Sequence, residues 1–211
     1  MQNIKFILMQ YGDIMTDKKR VRAESLFQTL GPVIKAGTLR EHRIYNRDIA
    51  ELMGNGDIQR LKSGYYIWNT AASDISDLGM VATLIPFGVI CLQSAACFHE
   101  LTTLNPLVVT VAIPANRTRI SLPEYPPVEL IAYPLSTFEL GMTEISSHIH
   151  IYDLERTVCD FFRKRQQLGG DLALDVLQTY MRGTRNLQRL FDYAGTLRIK
   201  RVIKPYVEAL I

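Results

Sequence analysis

The sequence predicts an α+β protein in two parts, an N-terminal winged helix-turn-helix followed by a mixed α+β domain. Three observations predict it. Helical periodicity runs from Arg22 to about Gly56 and gives way to a short basic hairpin. TAASDISD, residues 70–77, is small, polar and aperiodic, as expected of a domain boundary. Beyond it, strand-like runs precede helical ones, the order of an α+β domain. The predicted division is 1–20 as an N-terminal extension or first helix, 21–70 as the winged helix-turn-helix, and 71–211 as the C-terminal domain.

From Arg22 to Lys35, Leu26, Phe27, Leu30, Val33 and Ile34 recur at helical spacing, and Gly31-Pro32 bends or ends that helix. A short second helix fits Thr38 to His42, with Thr38 as its cap and Leu39 turned inward. In NRDIAELMGNG, Asn46 caps a third helix whose stripe is Ile49, Leu52 and Met53, stopped by Gly54-Asn55-Gly56. DIQRLKSGYYIWN alternates Ile58, Arg60 and Lys62 against Gln59, Leu61 and Ser63, turns at Lys62-Ser63-Gly64 and returns through Tyr65 to Trp68. Helix, short helix, helix and basic hairpin is the order of a winged helix-turn-helix. In the second part, Leu107–Ile113, Val128–Tyr133 and His148–Tyr152 read as strands. Asp153 caps a helix to about Gln167, Asp171 another to about Met181, and Leu187–Ala194 is a third. A last segment, Ile199–Leu210, is expected to break at Pro205.

Composition excludes several classes. With 211 residues, 47% of them hydrophobic, the chain can fill one large core or two small ones. Its longest apolar stretches fall well short of the roughly 20 residues of a membrane span, and no secretory cleavage pattern follows the first residues. The reading is cytoplasmic, with the segment before Met15 as a start-site extension. Cys91, Cys97 and Cys159 are odd in number, lie among apolar residues and lack CxxC spacing, so reduced, buried thiols are expected. The net charge of +3 is uneven: residues 1–70 carry 11 Lys and Arg against 7 Asp and Glu, residues 71–211 carry 13 against 14. The basic excess is N-terminal and suits a small phosphate-facing surface.

Three stretches hold residues capable of chemistry. ICLQSAACFHELT, 90–102, combines Cys91, Cys97, Ser94, His99 and Glu100, but it lacks the GxSxG context of a nucleophile. It reads instead as a packing helix capped by Ser94, with Ala95, Phe98 and Leu101 on one stripe and His99 and Glu100 facing outward. In HIHIY, His148 and His150 would share one face of a strand, as a metal pair can, yet no third ligand is evident. DLERTVCDFFRKR sets Asp160 four residues from both Arg156 and Lys164, the spacing of ion pairs on a helix surface. No P-loop, GxGxxG, HExxH or DFG-like element occurs, so neither a catalytic residue, a cofactor nor a metal is expected. The competing enzyme reading, a nucleic-acid-processing activity, requires His99, Asp160 and His148 or His150 to converge on one polar pocket.

The combined text is more specific. A helical N-terminal pattern ending in RLKSGYYIW, then IPFGVICLQSAACFHELTTLNP, VVTVAIP, IHIYDLERTVCDFFR and a closing KPYVEAL, resembles the abortive-infection AbiEi family of type IV antitoxins over roughly residues 22–211. Its strongest pieces are Ser94-Ala95 with His99 and Leu101-Thr102, Glu155-Arg156-Thr157 with Asp160, and Gly64 with Tyr66; residues 1 to about 20 have no counterpart. The resemblance implies a transcriptional repressor that binds inverted repeats of double-stranded DNA in its own promoter, as a homodimer or by assembly on DNA. It also implies that the C-terminal domain counteracts a nucleotidyltransferase-like toxin without requiring a stable complex. By position it carries over Tyr45, Asn46, Arg47, Arg60 and Lys62, flanked by Arg40 and Arg43, as DNA-binding residues. The alternative is a stand-alone winged-helix regulator, distinguished by its genomic neighbour.

Overall fold

In the computed structural model, which describes residues 18–71, 75–117, 120–146 and 148–211, the first helix, α1 (18–30), stops at Gly31. The expected extension 1–20 lies almost wholly outside the described residues. Gly31 takes φ 107° and Pro32 offers no N–H, so the helix cannot continue. Val33 to Lys35, expected at the helix end, instead form β1 (Val33–Lys35), antiparallel to residues 65–67. Two β-branched side chains just past a helix stop suit that conformation.

α2 (Ala36–Glu41) starts two residues before the expected Thr38 cap, with Lys35 at the cap position and Leu39 fully buried. Arg43 turns the chain in the left-handed region, φ 61°. α3 (Asn46–Gly54) is capped at Tyr45, one residue earlier than expected, and Asp48 accepts from the Tyr45 amide at 3.0 Å. β2 (Ile58–Lys62) and β3 (Tyr65–Trp68) form the hairpin, and the sheet order is β1-β3-β2, antiparallel throughout. Gly64, at φ 76°, makes the two-residue turn. A register shift between Arg60 and Lys62 replaces the expected strict alternation, so that Ile58 and Leu61 are both buried. The core joins Phe27, Leu39, Ile49, Leu52 and Trp68, with the Phe27 and Trp68 rings 5.5 Å apart.

This first compact unit runs to Ser76, beyond the expected limit at residue 70, and takes in Ser121–Glu124 from far along the chain. Glu124 donates its amide to the Leu61 carbonyl at 2.8 Å.

The second unit holds α4 (Asp77–Leu84), β4 (Val89–Ile90), α5 (Leu92–Phe98), β5 (Val109–Pro114), β6 (Val128–Tyr133), α6 (Leu135–Phe138), β7 (Met142–Ser146) and β8 (Ile149–Tyr152). Four helices follow: α7 (Leu154–Leu168), α8 (Gly170–Arg182), α9 (Leu187–Thr196) and α10 (Lys200–Glu208). The sheet order is β6-β5-β4-β8-β7, with β5/β6 and β4/β8 parallel and the other pairs antiparallel. The whole chain is thus of the predicted α+β class. Asp153 caps α7 as expected, accepting from the Arg156 amide. Asp171 does not cap α8, which starts one residue earlier behind Gly169. α10 runs through Pro205 without a break; Pro205 lies on an exposed side, where water can take the carbonyl that its missing N–H leaves. No described helix is long and apolar enough to cross a membrane.

α7 is the centre of this unit, touching α5, α8, α9 and α10. Residues 155–162 are buried in an unbroken run, Arg156 and Asp160 among them. The expected surface ion pairs are therefore internal. Arg156 Nε donates to Asp160 Oδ2 at 2.9 Å, and Arg156 Nη1 donates to the Thr137 and Leu140 carbonyls at 2.7 Å each. Arg163, rather than the expected Lys164, is the second partner of Asp160, at 3.2 Å. The Arg156 guanidinium stacks over Tyr152 at 4.4 Å and Tyr133 at 5.3 Å. Gly141, at φ 73°, lets the chain pass close by, since a Cβ there would lie 2.6 Å from Arg156 Cβ.

Candidate nucleic-acid interface and a polar cleft

In the first unit, α3 buries Asp48, Ile49 and Leu52, which fixes its other side to the outside. At 100° per residue the outward side carries Asn46, Arg47, Ala50, Glu51 and Gly54, all exposed, with Met53 at its edge. Ala50 and Gly54 are small and leave the helix backbone open to close approach. Tyr45 is 57% exposed just ahead of the helix. Arg43 is exposed in the preceding turn, and Arg40 is exposed in the last turn of α2, its Nε donating to the Ala36 carbonyl at 3.2 Å. Arg60 is exposed on β2.

Lys62 departs from expectation. It is only 9% exposed, and its ammonium sits over the Tyr65 ring at 4.5 Å, with the Lys35 ammonium 5.5 Å from the same ring centre. Burial, and then the Lys35 charge, hold its pKa below the ordinary lysine value. Lys35 was not among the sequence candidates. The signal was present in the β-branched pair that precedes it, which places it at the end of a strand beside the hairpin.

Two ion pairs tie the unit together behind this surface. Lys19 meets Asp48, and Arg20 meets Asp57 at 2.7 Å. They engage the inward carboxylates Asp48 and Asp57, while Glu41 and Glu51 stay exposed among the cations.

In the second unit, the 90–102 segment is a packing helix, as expected, with different roles for its residues. Ser94 lies within α5, not at its cap, and its hydroxyl accepts from the Thr110 amide at 2.9 Å while its own amide donates to the Thr110 hydroxyl. It staples the helix to β5. Ala95 and Leu101 are buried, but Phe98 is 45% exposed. Cys91 and Cys159 are buried free thiols; Cys97 is half-buried. His99 does not simply face outward, since its Nε2 donates to the Tyr152 carbonyl at 2.7 Å.

The sequence-predicted chemical residues do not converge. Asp160 is enclosed by Arg156 and Arg163, His99 is held by β8, and His148 sits at the β7–β8 turn with φ 75°, its amide on the Glu144 carboxylate. Because His148 precedes β8, the expected same-strand pairing with His150 is not formed. Among the described residues no group of three His, Cys, Asp or Glu side chains is placed to hold a metal.

What the sequence did not reveal is a cleft of about 550 Å3 around His99, Asp153, Glu155, Arg185, Asn186 and Arg189. Glu155 Oε1 accepts from the Tyr180 hydroxyl at 3.0 Å and the Asn186 amide at 3.3 Å. Asp153 accepts from the Arg156 amide and the Tyr193 hydroxyl. Burial raises the Asp153 pKa above the ordinary aspartate value despite those donors. No protein-family model and no curated protein sequence matches the chain.

Proposed function

We propose that the first unit is a winged helix-turn-helix that binds double-stranded DNA, and that the protein is an AbiEi-type antitoxin and repressor of its own operon. The observation that carries the DNA reading is the outward side of α3, where Asn46 and Arg47 stand beside the small Ala50 and Gly54, together with the exposed Arg40 on α2, Arg43 in the turn before α3 and Arg60 on β2. The element order α1-β1-α2-α3-β2-β3 with an antiparallel β1-β3-β2 sheet supports it. In this reading α3 enters the major groove, Asn46 and Arg47 read base edges, and the exposed Arg40, Arg43 and Arg60 contact phosphates. Two copies on an inverted repeat follow from symmetry. The antitoxin half of the reading rests on the sequence resemblance, and the second unit would counteract the toxin.

Gel shifts on the DNA upstream of its gene test the reading. Arg47→Ala should cost about 1 to 3 kcal/mol and relax sequence preference, while Arg60→Ala, on the exposed face of the hairpin, should weaken every sequence to a similar degree. Unchanged binding in both variants removes the assignment. Co-expression with the adjacent gene tests the antitoxin role: growth arrest relieved by this protein supports it, and a neighbour without toxicity favours a stand-alone regulator.

A further inference from the structure

The cleft of the second unit has a distribution of charge that points to a ligand. Its carboxylates are inside and already engaged, Glu155 by Tyr180 and Asn186, Asp153 by Arg156 and Tyr193. Its cations are outside and largely unspent. Arg189 is about half exposed and reaches Asp153 and Glu155 only at 3.9 and 3.8 Å, too far for hydrogen bonds. Arg185, also exposed, donates one Nη1 hydrogen bond to the Met181 carbonyl. Each guanidinium has five donors, so most of those lining the cleft are unspent.

The backbone adds to this. α9 begins at the cleft, where Asn186 caps it by accepting from the Arg189 amide. The first amides of a helix have no intrahelical acceptor, and the positive end of the helix favours an anion. Thr143 and Thr184 line the same space. A cation entering the cleft would have to displace Arg189 to reach carboxylates whose oxygens are mostly taken. An anion would meet two guanidiniums beside the start of α9, where the Asn186 and Arg189 amides are already taken. The volume is that of a small-molecule site.

We propose that this cleft binds a phosphate-bearing anion, held by Arg185, Arg189 and the N-terminal end of α9, with Asp153 and Glu155 orienting Arg189 from below. The site stands on the second unit alone and does not depend on the DNA reading.

The test is calorimetric titration of the full chain with orthophosphate, pyrophosphate and ATP. The protein carries Arg47→Ala and Arg60→Ala, so that the basic face of the first unit contributes less. Saturable binding is expected, weakened about tenfold or more by Arg185→Gln and by Arg189→Gln, the loss of a charge-assisted bond. Both arginines are exposed, so the variants should keep the thermal midpoint of the parent. Tighter binding of ATP than of pyrophosphate assigns a nucleotide; equal affinity assigns the phosphates alone. No saturable binding of any of the three, or binding that neither glutamine substitution weakens, overturns the proposal. DNA binding by the otherwise unaltered protein should survive Arg189→Gln, which separates this site from the α3 surface.

Discussion

Removing the Arg156 side chain should destabilise the second unit more than any substitution on the protein's surface. Arg156→Ala deletes the bond to Asp160 Oδ2 and two bonds to the Thr137 and Leu140 carbonyls, all made by a fully buried guanidinium. It leaves two acceptors stranded and a buried carboxylate with Arg163 alone. Breaking a buried pair from one side costs about 3 to 5 kcal/mol. A stranded carbonyl adds about 1 to 3 kcal/mol, less where the Thr137–Leu140 segment can move to water. A loss of at least about 4 kcal/mol is therefore expected, and the double substitution Arg156→Met with Asp160→Leu should recover a large part of it, because the only charge left without this partner, Arg163, is partly exposed. Urea titration followed by far-ultraviolet circular dichroism measures both. The single tryptophan, Trp68, lies in the first unit, where the substitution removes nothing, so its fluorescence is the internal control. A loss below about 1 kcal/mol for the single variant would refute the reasoning, since it would mean that the guanidinium is as well satisfied by water.

Glycine substitutions should separate strain from crowding. Gly64→Ala and Gly141→Ala impose a similar left-handed backbone, but nothing lies within 4 Å of the first site, while the second meets Arg156 Cβ at 2.6 Å. Thermal denaturation should show a loss of about 1 kcal/mol for Gly64→Ala and at least about twice that for Gly141→Ala. Two carboxylates should contribute opposite pH slopes. The raised Asp153 pKa means that the native state holds the proton more tightly; its increment is present below about pH 3.8, the ordinary value, and is lost as pH rises through the raised one. For Asp48, burial pushes the pKa up, but Lys19 and the Tyr45 amide outweigh it, so the net shift is downward. Its increment is present above the ordinary value and is lost as pH falls through the lowered one. Asp153→Asn and Asp48→Asn, compared by denaturation from pH 3 to 7, should flatten slopes of opposite sign.

Much of the local structure was legible in the sequence because it is local. The third helix, the hairpin turn at Gly64, the strand Val128–Tyr133 and the Asp153 cap each follow from periodicity or turn chemistry within a dozen residues. What was missed depends on distant partners. β1 is a strand because residues 65–67 are there to pair with it, and β4 has two residues and no period to read. The ERTVCD stretch has the charge spacing of a solvated helix, but the carbonyls of Thr137 and Leu140 take the place of water. Nothing at Arg156 announces that. Ser94 carried the signal of a cap and serves as a staple, because its partner Thr110 lies 16 residues on. The candidate DNA residues were nameable from their place on and around α3, whereas the inward lean of Lys62 onto Tyr65 follows from the register shift at Arg60. The cleft was invisible because His99, Glu155 and Arg189 are brought together by three separate elements.

The most direct test of the DNA-binding account is the salt dependence of affinity for the DNA upstream of the gene, set against a shuffled sequence of the same composition. Three phosphate contacts per copy, from Arg40, Arg43 and Arg60, predict that log K falls with log salt at a slope of about −2.5 to −3 per bound copy. The native sequence should retain the tighter binding at every salt concentration. Equal affinity for the native and shuffled sequences, or affinity that salt does not change, would contradict it.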